Sequence, residues 1–258
     1  MSAFAGQPSG ARMARALLNR TIAAFLPPTC VLCGAPGTAG LDLCAGCRDD
    51  LPLNDHACPR CALPLPLAQP QDWACGACQR RAPPYATSHI PYLYQDGMIH
   101  LIGKAKFGGK LNLTRLLGLC LARSLRDRNV DRPEVIIPVP LHPQRLRERG
   151  YNQTLEIARA LAADLAIPVD PRTCVRLRAI TPQEGLDQEA RRINVRGAFG
   201  VTRPLRVRHV ALLDDVVTTG STAAEVTRIL LAGGAQRVDL WALARTPWKS
   251  VEPTNSDY

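Results

Sequence analysis

Hydrophobic positions follow two regimes along the chain. Up to about residue 82 they are scattered among prolines without a sustained period; beyond it, short apolar runs alternate with stretches of helical spacing. The run VIIPV (135–139) predicts a fully buried strand. A polar loop to Asn152 follows, then a helix with Leu155, Ala158, Leu161, Ala162 and Leu165 on its apolar face. VALLD (210–214) predicts a second strand, leading through VVTTGST into a helix with Val226, Ile229 and Leu230 that ends at Gly233 and Gly234. VDLWAL (238–243) predicts a third. Strands apolar on both faces and alternating with helices imply an α/β domain with a parallel sheet and right-handed crossovers.

The first regime needs a different source of stability. Twelve of the 22 prolines fall in residues 1–91, and eight of the ten cysteines lie between residues 30 and 78. So proline-rich and aromatic-poor a segment cannot bury enough surface to fold alone. Residues 1–29 are expected to hold an amphipathic helix from about Met13 to Leu26, stopped by Pro27 and Pro28. A cysteine module over 30–81 then ends in an RRAPP linker (80–84), followed by the α/β domain over 82–247 and a tail over 248–258. Arg20 interrupts the one candidate secretory apolar segment, and no run approaches the roughly 18 apolar residues of a membrane span. The expectation is a cytoplasmic protein with reduced thiols.

The eight clustered cysteines form four C-x2-C pairs: Cys30/Cys33, Cys44/Cys47, Cys58/Cys61 and Cys75/Cys78. Each pair can present two sulfurs to one tetrahedral metal, so four pairs make two four-thiolate zinc sites with structural roles. Sequential pairing gives tandem zinc ribbons, and alternate pairing gives a cross-brace; the shorter loops favour the sequential arrangement. A disulfide framework is the weaker alternative in a reducing compartment. Cys120 and Cys174 lie outside the array in apolar surroundings and are expected to be core thiols.

Charge narrows the choice of partner. The chain carries a formal +10, distributed as +3 over 1–29, −1 over 30–81, +4 over 82–139, +6 over 140–208 and −2 over 209–258. Each four-thiolate zinc site adds about −2, which makes the cysteine module acidic. An anionic partner is therefore expected at the loops of the α/β domain rather than at the ribbon.

The stretch VALLDDVVTTGSTA (210–223) is a buried strand ending in two carboxylates, followed by small and hydroxyl residues at a helix start. Backbone N–H groups from about Val217 to Ser221, with the hydroxyls of Thr218, Thr219, Ser221 and Thr222, suit a phosphate at the positive end of the helix dipole. Asp214 and Asp215 suit sugar hydroxyls or hydrated magnesium. A phosphorylated sugar satisfies both halves.

This stretch resembles the phosphoribosyl-pyrophosphate signature of type I phosphoribosyltransferases. That resemblance assigns Asp214 and Asp215 to ribose, and Val217, Thr218, Thr219, Gly220, Ser221 and Thr222 to the 5-phosphate. With the cysteine-rich start, KFGG (106–109), PVPLHPQRLRERGYNQ (138–153) and ARTP (244–247), nearly the whole chain is similar to the ComF family. The resemblance implies a phosphoribosyltransferase-like fold behind a double zinc ribbon, phosphoribosyl pyrophosphate with magnesium as ligand, and a part in uptake of single-stranded DNA during natural transformation. It further implies a pyrophosphate loop containing Arg145, Arg147, Arg149 and Asn152, and a lid within 176–199 with Gln183, Arg191, Arg192 and Asn194 as its polar positions.

GKAKFGGKL (103–111) has the wrong glycine interval for a nucleotide P-loop, and Lys106 is its best match to a family position. No general base is evident, a lone His142 being more often structural. Two functions follow from the resemblance. One is a ligand-binding enzyme that transfers phosphoribosyl to an unspecified acceptor. The other is a non-catalytic competence protein that grips single-stranded DNA, using the pocket for sensing, with Tyr92, Tyr94, Phe107 and Tyr151 near basic residues in sequence for stacking.

Overall fold

The structure, a computed structural model, describes residues 28–38, 40–70, 72–106, 110–178 and 193–247. The helix expected from Met13 to Leu26 and the tail from residue 248 lie outside the described residues. The chain divides into two compact units that part between Leu51 and Pro52.

The first unit is a cysteine knuckle, a short antiparallel bridge between Thr29 and Pro36, and helix α1 (Ala45–Asp49). Cys44 caps α1, its sulfur accepting from the Cys47 N–H at 3.4 Å. Leu41, Leu43, Leu51 and Cys30 are the buried apolar side chains among its described residues. Four side chains are too few for a self-sufficient core.

The second unit opens with another cysteine knuckle, which ends in helix α2 (Gly76–Arg80). There follow β1 (Ser88–His89), β2 (Tyr92–Leu93), α3 (Asp96–Ala105), α4 (Leu111–Asp127), β3 (Val135–Pro138), α5 (Pro143–Arg149) and α6 (Gln153–Leu165). The chain continues through β4 (Cys174–Arg176), β5 (Phe199–Val201), β6 (His209–Val217), α7 (Ser221–Ala232) and β7 (Arg237–Arg245). The sheet has the order β1-β7-β6-β3, with β2 pairing further along β7, and every pairing is parallel. A parallel bridge from Ile136 to Val169 widens it beyond β3. Strands β4 and β5 form a separate antiparallel pair.

The apolar runs read from the sequence are the centre of this sheet: Val210, Ala211, Leu212, Leu213, Leu240, Ala242 and Leu243 are all buried. Helices α4 and α6 pack closely because Gly118 has no side chain; a Cβ there would lie 2.8 Å from both Ala160 Cβ and the Ile157 carbonyl. Cys120 and Cys174 are buried. No helix among the described residues is long and apolar enough to cross a membrane.

Two local expectations change. The polar segment after β3 is not a plain loop, because it contains α5, with Pro143 in its first turn, His142 as its cap and Gly150 at φ +77° closing it. Strand β6 does not stop at Asp214; it continues to Val217 because the β-branched Val216 and Val217 keep pairing with Ala244 and Arg245.

Candidate functional site

Parallel strands direct their carboxyl ends to one edge, where α/β proteins hold their ligands. Here the ends of β3, β6 and β7 supply the segments around 139–152, 217–221 and 245–247. Gln153, which follows the first of these, reaches Asp215 near the start of the second.

Asp214 and Asp215 are successive residues of β6, and their carboxyls lie close enough to act on one another. Asp215 is buried and well partnered: Lys106 Nζ lies 3.3 Å from Oδ2, Gln153 Nε2 donates to the same oxygen at 3.1 Å, and the Val216 N–H donates to Oδ1 at 2.7 Å. Burial opposes its charge, yet Lys106 and these donors hold it below the usual carboxylate range. For Asp214, burial and the neighbouring Asp215 outweigh the Asp215 N–H and the charge of Lys106, and push the carboxyl up to about 8. Asp214 Oδ1 accepts from the Asp215 N–H at 2.9 Å.

The loop after β6 is short and constrained. Gly220 at φ +78° starts α7, Thr219 and Ser221 share a hydroxyl hydrogen bond of 2.9 Å, and the Ser221 N–H donates to Thr219 Oγ1 at 3.3 Å. Thr218 is exposed, whereas Ser221 and Thr222 are partly exposed in the first turn of α7. Val217 belongs to the strand, with its side chain in the core and its carbonyl accepting from Thr246 and Arg245. It therefore supports the loop from beneath.

The three arginines after β3 do not act alike. On α5, Arg145 and Arg149 are four residues apart on one face and partly buried, while Arg147 projects from another face and is exposed. Arg149 Nη1 donates to Gln153 Oε1 at 3.2 Å, and so joins the chain of contacts that ends on Asp215. Asn152 Oδ1 caps α6 by accepting from Thr154 at 3.0 Å and Leu155 at 3.4 Å. Its Nδ2 donates to the Val139 carbonyl at 3.3 Å. His142 Nδ1 accepts from the Gln144 N–H at 3.3 Å, so this histidine is a helix cap.

Two residues of this site carried no assignment in the sequence. Gln153 is buried although it sits at a helix start, and Arg176 of β4 stacks over the Phe199 ring at 5.8 Å from its centroid. Burial, with Arg145 and Arg178 nearby, lowers the Arg176 guanidinium, while Asp214 pulls the other way. Its Nε is buried without a hydrogen-bond partner among the described residues. A cavity of about 380 Å³ lies against it, walled by residues including Leu141, Leu146, Tyr151, Leu155 and Val175.

Of the lid positions, Asn194 is described, its carbonyl accepting from Arg178 Nη2 at 2.9 Å; Gln183, Arg191 and Arg192 lie outside the described residues. Phe107 also lies outside them. Tyr92 is buried in β2, and Tyr151 donates its hydroxyl to the Ala105 carbonyl, so neither ring is a free stacking platform.

The cysteines gather as Cys30, Cys33, Cys44 and Cys47, and as Cys58, Cys61, Cys75 and Cys78, which is the sequential pairing. Within each set all four sulfurs lie within 4.8 Å of one another. The Cys33–Cys44 and Cys61–Cys75 sulfurs are each 3.6 Å apart, far beyond a disulfide bond. It is close to the roughly 3.8 Å edge of a tetrahedron with zinc–sulfur bonds of about 2.3 Å. The donor sets fit structural zinc.

Comparison with known proteins agrees with this architecture. Residues 21–79 match the double zinc ribbon domain. The chain is 34% identical over 226 residues to the DNA utilization protein YhgH of Escherichia coli O157:H7, covering 86% of this chain and 98% of that protein. It is 33% identical to competence protein F of Haemophilus influenzae, covering 79% and 90% of the two chains. The purine phosphoribosyltransferase of Pyrococcus horikoshii aligns over 56% of this chain and 94% of its own, with TM-score 0.32 and 19% identity; the strand order described above carries the fold without it. Two cysteine tetrads ahead of a parallel sheet, in a chain that spans almost the full length of these relatives, place the protein in the ComF family.

Proposed function

We propose that the protein binds phosphoribosyl pyrophosphate with magnesium at the carboxyl edge of the sheet, and acts in the handling of incoming DNA. The observation that carries this reading is the unequal acid pair. Asp215 is fixed by Lys106 and Gln153, while Asp214, raised by burial and by Asp215, stands ahead of a Gly220-led helix start that suits a phosphate. Asp214 would accept from ribose hydroxyls or hold a hydrated magnesium, and magnesium would neutralise the pyrophosphate charge. Thr218, Thr219, Gly220, Ser221 and Thr222 would hold the 5-phosphate. Arg145 and Arg176 face the pyrophosphate side, and Asn152 shapes that loop. Gln183, Arg191, Arg192 and Asn194 would supply the lid.

Transfer of the phosphoribosyl group would displace pyrophosphate from the anomeric carbon. In a second reading the liganded protein grips single-stranded DNA through the basic residues of 82–208. The names of its relatives, a DNA utilization protein and a competence protein, support that role.

Titration of the zinc-loaded protein with phosphoribosyl pyrophosphate and magnesium tests the pocket, with saturable binding expected for the wild type and its loss in Asp214→Asn. Absence of wild-type binding, or equal binding by the variant, rejects the assignment. A parallel titration with single-stranded DNA should weaken steeply with salt, and a flat response rejects the phosphate-gripping surface.

A further inference from the structure

We propose that Arg245 is a positioning residue through which metal in the second cysteine tetrad fixes the loop after the acid pair, so that zinc at that tetrad and an anion at the loop strengthen one another's binding. The proposal deepens the reading of that loop as a phosphate cup and rests on it.

Arg245 ends β7 and is buried. Its Nε donates to the Cys61 carbonyl at 3.1 Å, and its Nη1 donates to the carbonyls of Val217 at 3.0 Å, Thr246 at 2.9 Å and Thr218. A guanidinium is a rigid planar fork, and the two N–H groups of Nη1 are shared among three carbonyls, so a shift of the Cys61 carbonyl on Nε re-aims the donors that hold the loop. One end of the fork lies on a metal-ligand residue and the other on the first peptides of the proposed phosphate loop.

Contacts around the fork make the link stiff. Ala62, next to Cys61, is at φ +53° and belongs to the same buried cluster as Tyr85 and Val217. The Ala62 carbonyl accepts from Asn54 Nδ2 at 2.9 Å, and the same amide donates to the Ile90 carbonyl at 3.1 Å. Arg60 Nη1 donates to the Ala86 carbonyl at 2.6 Å. The Tyr85 hydroxyl lies 3.4 Å from where a Cβ on Gly220 would be. The peptide of Cys61 is thus held by the α/β core on one side and, when zinc is bound, by its own sulfur on the other. Losing the metal frees the second restraint and loosens the fork. By linkage, a ligand that orders the loop must tighten the metal equally.

The test uses the full zinc-loaded chain, with phosphoribosyl pyrophosphate and magnesium as the probe. In the wild type, saturating probe should slow transfer of one of the two zinc ions to a chelator about tenfold and leave the other unchanged. Arg245→Lys keeps a charge but cannot reach all four carbonyls. It should retain two zinc ions, bind the probe about tenfold more weakly and lose the protection; unchanged affinity with full protection overturns the proposal. A second arm needs neither the probe nor the arginine variant. Amide exchange over 217–222 should quicken about tenfold in Cys61→Ala but not in Cys33→Ala, with the amides of Leu111–Asp127 as the fold control. Equal exchange in the two variants overturns the coupling. If the wild type fails to bind the probe, the phosphate reading falls and the exchange arm still decides the link.

Discussion

The two ends of the central strands treat charge in opposite ways. At the amino-terminal ends of β6 and β7, His209 and Arg237 are cross-strand partners, and both reach Asp239 at 2.8 Å. Arg237 adds a second bond to Asp239 at 3.0 Å and another to Asp131 at 2.9 Å. Every charge there has a partner of opposite sign, and Arg237 is raised, chiefly by its hydrogen bonds to Asp239. At the carboxyl ends, Asp214 is raised to about 8 by burial and a like charge, and on the neighbouring β4 the buried Arg176 Nε has no hydrogen-bond partner among the described residues. The paired cluster at the amino-terminal ends contrasts with a carboxyl edge where the raised Asp214 stands beside the paired Asp215. A carboxyl so raised costs stability unless a ligand relieves it, which makes it a mark of a binding site.

The largest expected effect breaks the paired cluster. Asp239→Ala removes a buried carboxylate from His209 and from a partly exposed Arg237 that keeps Asp131, and should cost about 3 kcal/mol in denaturant unfolding. Affinity for phosphoribosyl pyrophosphate in the folded protein should not change. If it falls in proportion, the two ends are not separate systems.

At the carboxyl edge the sign reverses. The folded state holds the Asp214 proton up to about pH 8, whereas an unfolded aspartate releases it near pH 4, so stability is lost as pH rises between those values. Asp214→Asn removes that loss and should stabilise the protein by about 1–3 kcal/mol at pH 8, with little effect near pH 4. The same group gives a smaller, ligand-linked signal. Magnesium and ribose hydroxyls favour the carboxylate, so binding near pH 7 should release up to about one proton and tighten toward pH 8. Calorimetry in buffers of different ionisation enthalpy measures the release; proton uptake would contradict the placement of Asp214. The smallest effects separate the arginines of α5. Arg145→Ala should weaken binding about tenfold, whereas Arg147→Ala should stay within about 0.5 kcal/mol in both stability and affinity.

Legibility in the sequence followed the range of the interactions. The parallel sheet and both tetrads were readable because periodicity and C-x2-C spacing are local signals. Helix α5 had local signals too, Pro143 at its start and Gly150 at its end, but the density of arginines suggested a loop. Once that segment is helical, Arg147 must leave the face shared by Arg145 and Arg149. The extension of β6 past Asp214 depends on pairing with β7, a tertiary fact. The partners of Asp215 are 62 residues away at Gln153 and far along the chain at Lys106, so no local pattern could show that one acid is consumed by the fold. Arg245 fell within the quoted ARTP segment, but only its four carbonyl partners reveal its place.

The parting of the compact units between Leu51 and Pro52 cuts the double ribbon in half. One half is a metal-dependent appendage whose four buried apolar side chains cannot sustain it. The other belongs to the same compact unit as the α/β domain. Inheritance should respect that cut: the first knuckle can be lost, exchanged or lengthened as a module, whereas the second can change only together with β7 and the loop it steadies.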